Sequence, residues 1–310
     1  MKELILIVTA AGLGTRLKEY SLKKNGKFLD KPLIRLKNKT PLSWSVKPFY
    51  PLITNGFLKF SNIYVVIRED QDKEEFKNAI EEINKNIKLV TIKKLSKGPA
   101  HTAFEACQNI LKFKEINKKT IIVSDSDHTF RSDSLINFFR NENQRKFNAF
   151  CTLKNVDNPE KWGYVIQKDN KEFFSGEKNI LEMDISYQKQ AKFLIGCYVY
   201  NDLKSLKKSI RLFENSIFRE KESYHSLTLS LLSKIEPLST INSDWGIGLG
   251  TESQLEEAEK SFISFEGNRE PSTYIFDIDG VIFKHDKGAF SETGHFEISP
   301  IPIKKNIEYI

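Results

Sequence analysis

The sequence predicts an α/β protein with a Rossmann-like mixed, mainly parallel sheet flanked by helices, followed by a partial α/β segment at its carboxyl end. Three observations lead there. Short apolar runs alternate with helical patterns through the first part of the chain, the order that βαβ units require. Those runs stop at glycines or carboxylates, so the reactive residue types fall at the carboxyl ends of strands, where open parallel sheets bind ligands. The last apolar run, Ser272 to Phe283, stands apart from the rest behind a polar stretch.

In chain order, Glu3 to Thr9 (ELILIVT) is the first strand, and it breaks into AAGLGTR, Ala10 to Arg16. Gly12 and Gly14 allow a tight turn and bring backbone N–H groups close to an anion. Thr15 adds a hydroxyl, and Arg16 adds a fork of donors that matches phosphate oxygens. Taken alone, the same residues serve a plain strand-to-helix turn. A basic spacer with Lys23, Lys24 and Lys27 leads to DKPLIRLKNKTPL, Asp30 to Leu42. Thr40 is placed to cap a helix in 42–54, which Pro48 and Pro51 limit.

Residues 62–68 form the second strand, 70–84 a surface helix with Phe76, Ile80 and Ile83 at helical spacing, and 88–95 the third strand. A second glycine turn, Lys97 to Thr102, opens a helix with Ala103, Phe104, Cys107 and Leu111 on its apolar face. KTIIVSDSDHTF is the fourth strand and ends in Asp125 and Asp127, carboxylates suited to a magnesium ion. From Phe147 the pattern changes: NAFCTLKN and FLIGCYVYND are strands, with NPEKWGYVIQ between them and a helix over 202–214 after them.

Composition narrows the class. The chain of 310 residues is 39% hydrophobic and 12% aromatic, enough for a large core. No apolar run approaches the ~20 residues of a membrane span, and no signal-peptide layout opens the chain. Cys107, Cys151 and Cys197 are far apart and set among apolar residues, which reads as reduced thiols in a cytoplasmic protein. The formal charge of +7 is spread among abundant Asp and Glu rather than gathered with aromatics. Nucleic acid and membrane insertion are therefore not expected. A homo-oligomer stays open.

These motifs, in this order, resemble the sugar-phosphate nucleotidyltransferase family, which runs Gly-x-Gly-Thr/Ser-Arg and then Lys-Pro. The resemblance implies that Ala10, Ala11, Gly12, Gly14, Thr15 and Arg16 hold a nucleoside triphosphate and that Lys31 meets its α-phosphate. Gly98, Pro99 and Ala100 match the family's Gly-x-Ala segment against the base. Asp127, with Phe130 three residues on, matches the ligand of Mg2+, with Asp125 as its neighbour. Arg16, Lys31 and Asp127 would then carry the chemistry. Trp162, Gly163 and Tyr164 match the segment that faces the acceptor. Glu182 falls where the family has Glu-Lys, with Met183 in place of the lysine. Gly196 would lie against the acceptor, and Tyr224 matches a further acceptor motif. Gly250, Thr251 and Leu255 match the closing Gly-Thr-Pro-x-x-Leu segment. The family's second metal aspartate falls on Gly248, which leaves Asp244 as the nearest replacement.

A second resemblance covers the end of the chain. STYIFDIDGVIF carries the Asp-x-Asp-Gly-Val of haloacid dehalogenase-type phosphatases through Asp277 and Asp279. That family's later residues are missing, so the expected layout is a transferase domain over 1–265, a linker over 266–272 and the start of a second domain over 273–310. The first resemblance implies transfer of a nucleotidyl group to a phosphorylated sugar, with release of pyrophosphate, for a surface polysaccharide. Transfer to a small phosphorylated alcohol, a non-catalytic nucleotide-binding role, and a phosphatase whose first domain presents substrate stay open beside it.

Overall fold

Strand β1 (Leu4–Thr9) is apolar on both faces because both are covered: Leu4, Leu6 and Val8 enter one core, Ile5 and Ile7 the other. The structure, a computed structural model, describes residues 3–36, 39–168, 172–177, 179–266, 283–284 and 301–302. In it, β1 pairs in parallel with β2 (Ile63–Arg68) and with β4 (Thr120–Asp125), and β3 (Lys88–Ile92) lies parallel beyond β2. The chain thus builds β1 to β3 outward in one direction and returns to place β4 on the other side of β1. The crevice at that reversal is where such sheets bind ligands.

The helices between these strands obey the predicted pattern. A short α1 (Lys18–Asn25) leads towards α2 (Pro41–Val46), which Thr40 caps: its hydroxyl accepts from the Ser43 N–H, and the Ser43 hydroxyl accepts from the Thr40 N–H. Pro48 and Pro51 divide the next stretch of chain into one 3-10 turn and α3 (Tyr50–Thr54). Helix α4 (Lys73–Ile83) lays Phe76, Ala79 and Ile80 on one face of the sheet, and α5 (Pro99–Leu111) lays Ala103, Cys107 and Ile110 on the other.

The second half completes the sheet. After the short β5 (His128–Phe130) come α6 (Asp133–Arg140) and β6 (Asn148–Leu153), then the hairpin of β7 (Gly163–Gln167) with β8 (Phe173–Glu177). Past α7 (Ile185–Gln190), the long β9 (Lys192–Tyr200) enters antiparallel between β4 and β6 and also pairs with β7. Helices α8 (Leu203–Glu214) and α9 (His225–Ser233) cover its far face, β10 (Leu238–Ser243) closes the edge against β6, and β11 (Gly246–Gly248) pairs with β5. The sheet among the described residues is therefore mixed, in the order β10-β6-β9-β4-β1-β2-β3. Just ahead of α9, the Ser223 N–H donates to the Lys97 carbonyl and the Ser223 carbonyl accepts from the Ala100 N–H.

The chain divides into two units, Met1–Ser261 and Phe262–Ile310, with α10 (Glu252–Glu266) running across the division. In the second, β12 (Phe283–Lys284) pairs antiparallel with β13 (Ile301–Pro302). The expected Asp277 and Asp279 lie outside the described residues, as does the expected linker beyond Glu266.

Candidate active site

Strands β1 and β4 run in register, Thr9 opposite Asp125, so the glycine loop at the end of one and the carboxylates at the end of the other emerge side by side. The Thr9 hydroxyl lies 3.4 Å from Asp125 Oδ1. The two loop glycines differ. Gly14 has φ +63°, so it turns the chain through a left-handed backbone that favours glycine, and Lys31 packs beside it, with Lys31 Cβ 3.4 Å from the position a Cβ would take. Gly12 needs no left-handed backbone, and a Cβ there would meet nothing within 4 Å. The chain bends at Gly12, and its missing side chain leaves open space above the loop. Ala10 and Ala11 are buried, while Thr15 and Arg16 are exposed in the 3-10 turn next to it.

Lys31 reaches across the crevice. Its ammonium donates to Asp127 Oδ2 at 2.7 Å, which brings together residues 96 positions apart. His128 Nδ1 stands 2.9 Å from the other oxygen, Oδ1, in charge contact but not aligned as a hydrogen bond. Burial pushes the Asp127 carboxyl up, but the charges of Lys31 and His128 and the Lys31 hydrogen bond outweigh it and hold that carboxyl well below the usual range. Asp125 has the opposite balance: burial first, then the Asp127 charge beside it, pushes it up to about 7. Burial lowers His128, yet Asp127 and Asp125 raise it on balance. A closing segment completes the wall. The Leu249 N–H donates to the Asp127 carbonyl, and a Cβ on Gly250 would lie 2.7 Å from Asp127 Oδ2.

Ligand atoms of Asp125, Asp127 and His128 all lie within 4.8 Å of one another, a set that could share a divalent cation. Two carboxylates suit Mg2+ or Mn2+; the imidazole is a donor that Mg2+ takes less readily. Asp244, the expected replacement ligand, stands elsewhere. It is largely exposed, and one of its oxygens lies 3.3 Å from Arg131 Nη1. Gly248 pairs with His128 in the β5–β11 ribbon, and a Cβ on it would run into Gln254. In the basic spacer, Lys24 pairs with Glu259 and Lys27 with Glu75, so both face carboxylates.

The residues expected to face an acceptor separate into two groups. Trp162 stands with its ring 6.0 Å from that of His128, and Gly196, with φ +65°, packs its backbone against Asp125 and His128. Tyr164 does not face the crevice. Its ring is wholly buried under Gly176 and its hydroxyl donates to Asn179, which makes it a packing residue of the β7–β8 hairpin. Glu182 is exposed on a turn after β8. The carboxylate beside the expected acceptor segment is Glu177: it accepts from the Ser226 hydroxyl at 3.0 Å, and a Cβ on Gly163 would lie 3.1 Å from its other oxygen. The signal is legible in the sequence, since Glu177 and Lys178 form a Glu-Lys pair at a strand end while Glu182 precedes a methionine. Lys178 lies outside the described residues. Tyr224 is half-exposed and donates to Glu222 at 2.6 Å.

Gly98, Pro99 and Ala100 open α5 as expected, but the close approach at Gly98 is made by the chain itself. Gly98 has φ +145°, and a Cβ on it would stand 2.6 Å from the Ser223 nitrogen. Two further residues, Arg68 and Gln71, belong to no motif. They sit at the carboxyl end of β2 and bond to the carbonyls of the glycine loop. A charge ending an otherwise apolar strand is the sequence signal for Arg68.

Comparison with known proteins bears on this arrangement. The sequence pattern of the nucleotidyl transferase family matches residues 5–245. No curated protein sequence matches the chain. Among solved structures, a Bacillus anthracis protein assigned as a glucose-1-phosphate thymidylyltransferase, in complex with a sucrose, superposes with a TM-score of 0.61 at 18% identity, covering 83% of this chain and 94% of that one. The nucleoside-diphosphate-sugar pyrophosphorylase of Vibrio cholerae RC9 gives 0.61 at 16% identity, covering 82% and 99%. The inositol-1-phosphate CTP transferase of T. maritima gives 0.61 at 15% identity, covering 86% and 99%. At these identities the likeness is one of fold.

Proposed function

The chain belongs to the nucleotidyl transferase family, and from that premise we propose that it couples a nucleoside triphosphate to a sugar 1-phosphate, releasing pyrophosphate and yielding an activated sugar for surface polysaccharide. The observation that carries this reading is the convergence of the glycine loop, Lys31 and Asp127 on one crevice. In the proposed reaction an oxygen of the acceptor phosphate attacks the α-phosphorus, the α–β bridge breaks, and the electron pair leaves with pyrophosphate. The second pKa of a phosphate monoester is about 6, so the attacking oxygen is already ionised at neutral pH and no general base is required. The barrier is repulsion between two polyanions.

Each residue of the crevice answers that need. Lys31 brings an ammonium to the α-phosphate, and its bond to Asp127 holds it there before substrate arrives. Arg16 and Thr15, exposed at the loop's end, offer donors to the outer phosphates. The open space above Gly12 admits phosphate oxygens to the backbone. Asp127, with Asp125 and His128 beside it, would hold a divalent cation, which when bound offsets charge on the phosphates. Across the crevice, Glu177 offers an acceptor for a sugar hydroxyl, with Trp162 and Gly163 close by.

Pyrophosphate release, measured over all triphosphates against a panel of sugar 1-phosphates and phosphorylated alcohols with Mg2+ present, tests the proposal. Turnover with a sugar 1-phosphate is expected. Turnover confined to a phosphorylated alcohol such as choline or glycerol phosphate replaces the acceptor and keeps the chemistry. Triphosphate binding without turnover on any acceptor would leave a nucleotide-binding relative that has lost catalysis, a reading that Gly248 favours because it stands where a second carboxylate is expected.

A further inference from the structure

The glycine loop is held from below by two side chains of the β2–α4 connection. Arg68 is buried, and its Nη1 donates to two successive carbonyls, those of Ala11 and, at 2.9 Å, Gly12. Gln71, also buried, donates from Nε2 to the Ala10 carbonyl at 3.1 Å, and its Oε1 accepts from the Arg68 backbone N–H at 2.8 Å. Three consecutive carbonyls of the loop are thus drawn to one side. Asp70, 68% exposed, grips the far edge of the guanidinium through Nε at 2.8 Å and Nη2 at 3.2 Å, which fixes the plane of the fork.

Peptide geometry turns that grip into a consequence for ligands. In a trans peptide the C=O and the N–H of one unit point in opposite directions. With the carbonyls of residues 10, 11 and 12 turned towards Gln71 and Arg68, the N–H groups of Ala11, Gly12 and Leu13 are turned away from them. Among the described residues none of these three N–H groups makes a backbone hydrogen bond. Gly12 and Leu13 are exposed, and nothing lies within 4 Å of the Cβ position of Gly12. A short run of successive amides aimed one way, with space above it, is a concavity for an anion.

We propose that Arg68, seconded by Gln71, is a positioning residue that presets the glycine-loop amides for the triphosphate. This rests on the reading of the loop as the triphosphate site. Without the guanidinium, the Ala11 and Gly12 carbonyls lose their buried donor, and the peptide units are free to rotate towards water. The triphosphate must then order the loop at its own expense, and affinity falls.

The test is titration calorimetry on the full chain with the triphosphate that binds best and with the acceptor phosphate. Arg68→Ala should lower triphosphate affinity tenfold or more and leave acceptor affinity within twofold. Guanidinium at a few millimolar should restore part of the loss, a rescue that a merely destabilised variant would not show. Arg68→Lys, which keeps the charge but has no fork to span two carbonyls and Asp70, should show a smaller loss; it carries the test if the alanine variant fails to fold. Wild-type triphosphate affinity in either variant, or equal loss for both ligands, overturns the positioning role while the functional reading stands. A wild-type chain that binds no triphosphate overturns the functional reading, and this role with it.

Discussion

Replacing Gly250 with alanine isolates the geometry of Asp127 from its chemistry. The Gly250 backbone is not left-handed, so alanine fits there without strain, but its Cβ would lie 2.7 Å from Asp127 Oδ2. Ordinary contact at such a methyl is 3.4 Å or more, so the carboxylate oxygen has to give way by about 0.7 Å. It is not free to do so at no cost, because the same oxygen accepts from Lys31 at 2.7 Å. A displacement of 1 Å at a reacting constellation costs on the order of 10²-fold, so Gly250→Ala should lower kcat by about 10- to 50-fold. Asp127 keeps its charge, and overall stability should change by less than about 1 kcal/mol. The assay is steady-state pyrophosphate release, with thermal melting beside it. Full activity in a folded Gly250→Ala protein would refute the reasoning: either the carboxylate swings freely or the chemistry does not run past it.

Other substitutions probe neighbouring parts of the site. Asp127→Asn should cut turnover by about 10²–10³-fold with triphosphate binding retained, read by pyrophosphate release and calorimetry. Glu177→Gln should raise the acceptor KM about tenfold and leave the triphosphate KM unchanged; the reverse pattern would move Glu177 to the other substrate. Gly98→Ala, at φ +145° and 2.6 Å from the Ser223 backbone, should destabilise the fold by about 2–5 kcal/mol in chemical denaturation. His225 gives a pH prediction. Burial pushes its pKa down to about 3 from 6.5, so the folded state resists a proton that the unfolded state accepts. The stability it contributes is complete above pH 6.5 and is lost as pH falls towards 3. From pH 7.5 to 5.5 that loss is about 1.4 kcal/mol, and it should be absent in His225→Gln measured in parallel.

Local chemistry explains which features of the sequence could be read directly. Alternation of apolar runs with helical spacing located β1 to β4, and the Thr40 cap and the two prolines placed α2 and α3, because each is settled by interactions within a few residues. Gly14 was legible as a turn for the same reason. Tyr164 was not legible as packing, since an aromatic beside a glycine reads alike whether it faces solvent or a hairpin partner, and Gly176 decides between them from across a strand pair. Glu177 and Glu182 likewise differ only in what the folded chain brings to them, Ser226 in the one case and solvent in the other.

By itself the sequence determined the class of sheet, the loops at its strand ends and the residue types that phosphate chemistry needs, because spacing and composition act over short stretches of chain. Only the tertiary structure decided which of those residues meet: Lys31 on Asp127 across 96 positions, Gly250 against the same carboxylate, and Arg68 beneath the glycine loop. Such contacts arise from the parallel order of β2, β1 and β4 and from the return of the closing segment to β5. Strand order is set by how the whole core packs, and no local window of sequence contains it.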